Sequence, residues 1–103
     1  MNINQTRNGS ELTIALVGRL DTTTAPELEA VVKEALEGVE TLCFDLEKLE
    51  YVSSAGLRVL LQAQKTMNKQ GTMKVRNVSE IIMEIFEVTG FTDILTVEQA
   101  TDD

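Results

Sequence analysis

Histidine and tryptophan are absent from this 103-residue chain, and cysteine and proline occur once each. Without an imidazole there is no Ser–His or Cys–His pair, so the usual general base for a nucleophilic hydrolase is missing. One thiol with no histidine leaves too few soft ligands for zinc, and no disulfide is possible within the chain. The six glycines stand one at a time, and residues 39–48 hold no Gly-x-x-x-x-Gly-Lys, so there is no Walker loop to cradle a nucleotide phosphate. No metal or cofactor is expected. Basic residues are also scarce: nine against seventeen acidic ones, a net charge of −8. They are spread along the chain instead of clustering, which argues against nucleic acid and against a bare anionic membrane as partners. No apolar run approaches the roughly 20 residues of a membrane span. Residues 1–5 have neither the basic cluster nor the apolar stretch of a signal peptide, so a cytoplasmic location is the default expectation.

What is present is the balance of a folded domain, with 43% hydrophobic and 25% charged residues. The length suits one small domain over residues 1–103 with one core, ending in an acidic, frayed tail at about residues 98–103. A small acidic monomer is the simplest expectation for the free protein.

Residues 1–7 and 10–18 flank Asn8-Gly9, a strong hairpin signal. Leu12, Ile14 and Leu16 alternate with Thr13, Ala15 and Val17, giving the second strand one bulky face, and Gly18 is expected to end it. Thr24-Ala25-Pro26-Glu27 reads as a capping box. The helix it opens carries Leu28, Val31, Val32, Ala35 and Leu36 on one face and stops at Gly38. Residues 41–46 form a short apolar run, Cys43 within it, as in a strand buried on both sides. A second helix is predicted from Ser54 or Ala55 to about Lys69, with Leu57, Leu60, Leu61, Gln64 and Met67 inward. A strand over residues 72–76 follows, then a helix capped by Ser79 with Ile82, Ile85, Phe86 and Thr89 inward and Gly90 at its end. A last strand is expected over residues 94–97. The order β-β-α-β-α-β-α-β predicts an α/β domain: a mixed, mostly parallel sheet with an N-terminal hairpin and helices mainly on one face.

The chemistry concentrates in Tyr51-Val52-Ser53-Ser54-Ala55-Gly56, two hydroxyls at the mouth of a helix. A helix start offers unpaired N–H groups and partial positive charge, which favour an anion such as a phosphate on serine. Serine is equally a preferred cap, so the residues alone leave Ser54 open as a modified switch or as a plain cap. Asp21 and Asp45 lie where strands run out toward loops, where an open sheet collects binding groups and where turns also need aspartate. The remaining carboxylates read as a solvated surface.

These residues resemble a known family. Asp-Leu-x-x-Leu-x-Tyr-Val-x-Ser-Ala-Gly-Leu over residues 45–57 is similar to the signature of STAS domains, the family of bacterial anti-sigma factor antagonists. Gly18-Arg19-Leu20-Asp21 with its following threonines resembles the family's earlier motif, and Gly90-Phe91 with Ile94-Leu95 its closing segment. The resemblance implies a small β/α domain without catalysis of its own. It further implies an unphosphorylated form that binds an anti-sigma factor acting as a serine kinase, release by phosphorylation at Ser54, and reversal by a PP2C-type, metal-dependent phosphatase. Partner contacts are then expected at Asp21, Thr22, Thr23, Ser53, Ala55, Gly56 and Arg58, with Gly56 letting the partner approach closely. One departure is visible: kinase-controlled members carry aspartate just before the acceptor, where this chain has Ser53, which makes Ser53 a second candidate acceptor. Other STAS domains serve without switching, as subunits of lipid-transporting ABC complexes, and this is the alternative reading.

Overall fold

The chain folds around the alternation seen in its strands. In the computed structural model, which describes residues 1–100, β1 (Asn2–Asn8) and β2 (Glu11–Leu20) form an antiparallel hairpin. Helix α1 (Ala25–Ala35) leads to β3 (Thr41–Val52), α2 (Ser54–Asn68) to β4 (Thr72–Val78), and α3 (Glu80–Thr89) through a 3-10 turn at Phe91–Asp93 to β5 (Val97–Gln99). The five strands lie in sequence order, and every pair after the first is parallel. Each parallel step therefore crosses over through one helix.

Leu12, Ile14 and Leu16 of β2, Leu42, Phe44 and Leu46 of β3, and Met73 and Val75 of β4 are buried on one face. The apolar sides of all three helices, with Leu28 and Val32, Leu57, Leu60 and Met67, and Ile82 and Phe86, join the same cluster. The alternate residues Thr13, Ala15 and Val17 are half-buried, and Lys74 and Arg76 are exposed, so the opposite face of the sheet carries no helix. Cys43 points to that open face yet is only 8% exposed, and burial raises its thiol pKa, which keeps it protonated at neutral pH. The expected mixed sheet with its helices on one face is what the chain forms.

Several boundaries differ from expectation. The hairpin turn is Gly9-Ser10, one residue later, because Gly9 takes the left-handed conformation (φ +65°). Strand β2 does not end at Gly18: the chain shifts register there, with Gly18 at φ +109°, and pairs on to Leu20. Strand β3 likewise continues beyond Leu46 to Val52, burying Leu46, Leu49 and Val52 at spacings of three, which a period-2 reading does not detect. The last strand sits at Val97–Gln99 instead of residues 94–97, since the 3-10 turn takes up residues 91–93. Thr89 is exposed and bonds back to the Ile85 carbonyl, whereas Val59 and Ala63 join the α2 core. Of the predicted frayed tail, residues 98 and 99 belong to β5, and residues 101–103 lie outside the described residues.

Candidate functional site

The C-terminal ends of the adjacent parallel strands β2 and β3 build the site. Leu20 and Val52 are register partners, and one residue on, the Ser53 N–H donates to the Leu20 carbonyl at 2.8 Å. From that single bond the two loops diverge: Asp21 follows Leu20, and Ser54 follows Ser53. In an open parallel sheet this is the end at which binding groups gather.

On the β3 side, Ser53 is extended (φ −93°, ψ 174°) and its Oγ accepts from the Gly56 N–H at 3.4 Å. Ser53 is therefore the N-cap of α2, and Ser54 is not: it is the first helical residue, exposed, and its hydroxyl makes no hydrogen bond among the described residues. The first turn of α2 holds no acidic residue, so the helix itself supplies no negative charge to the positive end of its dipole. Arg58, one turn on at i+4 from Ser54, is exposed as well, and Ala55 is half-buried beside it.

Gly56 has a different place from the one expected. It is buried, and a Cβ there would lie 2.5 Å from Leu20 Cγ and 2.9 Å from Val52 Cγ2. Its missing side chain lets α2 seat on the strand ends, a close approach made within this chain's own core.

On the β2 side the expected capping box at Thr24 and Glu27 does not form. Thr24 has helical angles and makes no side-chain cap bond to the helix. Asp21 does the capping instead: its Oδ1 accepts from the Thr23 and Thr24 N–H groups at 3.0 and 3.1 Å, and its carbonyl accepts from Ala25 N–H. Thr24 Oγ1 answers by accepting from Asp21 N–H at 2.9 Å and donating to the Arg19 carbonyl at 2.7 Å. The reciprocal pair fixes the loop and leaves Thr22 and Thr23 exposed on its outside. The Thr24 N–H is the main cause that holds the Asp21 carboxyl below its usual range, with help from Thr23 and Arg19 and against an opposing burial effect.

Two residues absent from the sequence-based set complete the surface. Arg19 lies 3.9 Å from Asp21 and stacks its guanidinium 4.6 Å from the Tyr51 ring centre. Only the register of Arg19 against Tyr51 brings them together, and no local pattern signals it. Asp45, in contrast, is held inside the sheet: its Oδ1 accepts from Glu47 N–H and from Asn77 Nδ2, with Arg76 at 3.8 Å. Among the described residues no group of three or more metal-ligating side chains gathers, and no helix is long and apolar enough to cross a membrane. What the site offers is a surface that presents the Ser54 hydroxyl at a helix start, with Thr22 and Thr23 exposed on the neighbouring loop.

Comparison with known proteins identifies the fold and its lineage. The profile of the family described as "Mlab, STAS domain" matches residues 3–97. The chain belongs to the STAS family. This STAS domain is 30% identical over 104 aligned residues to an anti-sigma-B factor antagonist of Bacillus subtilis (strain 168), covering 99% of this chain and 94% of that protein. The crystal structure of an anti-sigma factor antagonist from Mycobacterium paratuberculosis superposes with a TM-score of 0.86 at 19% identity, over 94% of this chain and 84% of that one. The anti-sigma factor antagonist SpoIIAA, solved in its unphosphorylated form, gives 0.76 at 19% identity over 97% and 90%. At that identity both structures speak for the shared fold.

Proposed function

We propose that this STAS domain is an anti-sigma factor antagonist that works by partner switching, with Ser54 as the phosphorylated residue. The observation that carries the reading is the division of labour between two neighbouring serines: Ser53 is engaged as the helix cap, and Ser54 is exposed and uncommitted beside the Asp21 loop. Full-length similarity to an anti-sigma-B factor antagonist supports an anti-sigma factor as the partner class, and the STAS resemblance implies that this factor is also a serine kinase. The alternative acceptor, Ser53, is disfavoured because its modification would remove the cap.

In the unmodified state the partner covers Ser54, Arg58 and the outer threonines Thr22 and Thr23. The kinase then transfers the γ-phosphoryl group of ATP to Ser54 Oγ: the new O–P bond forms, the bond to the departing ADP breaks, and the hydroxyl proton leaves. The product carries roughly −1.5 to −2 extra charge and three acceptor oxygens. The positive end of α2 tolerates that charge, but a partner surface shaped to a neutral hydroxyl does not, so the complex opens. A PP2C-type phosphatase resets the chain. The site contributes binding and a modifiable hydroxyl, with no catalysis of its own.

The test is incubation with the purified cognate anti-sigma factor and ATP, followed by mapping of the modified residue by mass spectrometry. Phosphate on Ser54, and none on the Ser54→Ala variant, supports the reading. An unmodified chain contradicts it. One feature favours a second reading: Ser53 stands where kinase-controlled STAS domains carry aspartate, so a non-switching subunit of a lipid-transporting ABC complex fits the same surface. That subunit would co-purify with a membrane ATPase whether or not ATP is present.

A further inference from the structure

Helix α3 carries two ridges beside its buried face. Ile81, Ile85 and Val88 recur at i, i+4 and i+7 next to the buried Ile82 and Phe86 and form an apolar ridge, with Ile81 and Val88 exposed and Ile85 half-buried against the core. Ile81 is 63% exposed and Val88 87%, half of the four large hydrophobic side chains exposed among the described residues. Glu80, Glu84 and Glu87, at the same spacing, form a parallel acidic ridge on the far side of the apolar one. All three are exposed, and among the described residues none takes part in an ion pair. Glu84, Ile85, Val88 and Thr89 line a shallow groove where the ridges meet. Isolated exposed apolar residues are ordinary on a protein surface, but a contiguous row edged by unpaired charge of one sign has the form of an interaction site.

We propose that this face of α3 is a docking surface, separate from the Ser54 site, for a partner-protein segment that is apolar along one side and carries lysine or arginine beside it. The charge selects the occupant. A second copy of this chain would set the same three glutamates against these three, with a net charge of −8 on each molecule. An anionic membrane is repelled for the same reason. A basic, amphipathic segment covers Ile81, Ile85 and Val88 and answers Glu84 and Glu87 in one contact. The proposal is independent of whether Ser54 is phosphorylated.

The experiment is an NMR titration of the full, isotopically labelled chain with a short synthetic amphipathic peptide that has leucines on one face and lysines alongside. A twin peptide with glutamate at each lysine position is the control. The lysine peptide should shift the amides of residues 80–89 saturably, and the glutamate twin should bind at least about tenfold more weakly. Added salt should weaken the lysine peptide, and Val88→Lys and Glu84→Lys, both at exposed positions that leave the core intact, should each reduce its binding. Equal binding of the two peptides, shifts outside α3, or no shift at all would overturn the proposal. So would α3 shifts that grow with protein concentration in the absence of peptide, which would mark a second copy as the occupant.

Discussion

Ser53 donates its backbone N–H to the carbonyl of Leu20 across 2.8 Å, and this bond holds the Asp21 loop and the start of α2 in one frame. After Ser53 comes Ser54, the exposed first residue of α2, and after Leu20 comes Asp21, which opens the loop that leaves Thr22 and Thr23 outward. Because both partners belong to buried strand ends and a helix cap, the surface around Ser54 is set before any partner arrives. Little ordering cost then remains for binding.

The division between Ser53 and Ser54 predicts opposite sensitivities. Ser53→Ala removes the cap of α2 and should cost about 1 kcal/mol, while Ser54→Ala should stay within about 0.5 kcal/mol of wild type. Urea unfolding of the three proteins checks this. Equal losses would mean that the cap is shared.

At Gly56 the expected loss is one of overpacking. Leu20 is fully buried and Val52 is 2% exposed, so neither can move aside for a methyl group placed 2.5 to 2.9 Å away. Gly56→Ala should therefore cost about 1–3 kcal/mol. A variant as stable as wild type would show that α2 can lift from the strand ends, and partner binding would then separate from stability at this position.

The Asp21 loop sets an acid sensitivity. Its carboxyl is held below the usual value of 3.8 in the folded chain, so in the window below 3.8 the unfolded chain takes up the proton first. Stability from this group is complete above 3.8, and it falls as the pH drops through the folded value. Asp21→Asn should show a shallower acid loss than wild type in urea midpoints measured down that range. Parallel acid profiles would contradict the role of the carboxylate in pinning the loop.

The sequence carried most of the fold because its periodic segments are strong. Leu12-Ile14-Leu16 and the Ser79 cap need only local information, and both are where their pattern puts them. What failed was non-local. Whether Asp21 or Thr24 caps α1 depends on where β2 ends, and β2 runs past Gly18 only because β3 offers it partners as far as Val52. Register shifts in that pair also hide the second half of β3, since Leu46, Leu49 and Val52 then fall at spacings of three. In the same way Arg19 and Tyr51 meet only through strand pairing. The serine pair itself is visible in the sequence, but which serine caps is a matter of one residue in a helix boundary, and Ser53 takes the cap where its N–H pairs across the strands with the Leu20 carbonyl.

The most direct test of the switch is the affinity of the cognate anti-sigma factor for wild type, Ser54→Ala and Ser54→Asp, measured by calorimetry on folded proteins of matched stability. The account predicts that Ser54→Ala binds like wild type and that Ser54→Asp, which places a negative charge at the start of α2, loses binding by at least about a hundredfold, or roughly 2.7 kcal/mol. Equal binding by Ser54→Ala and Ser54→Asp would contradict it.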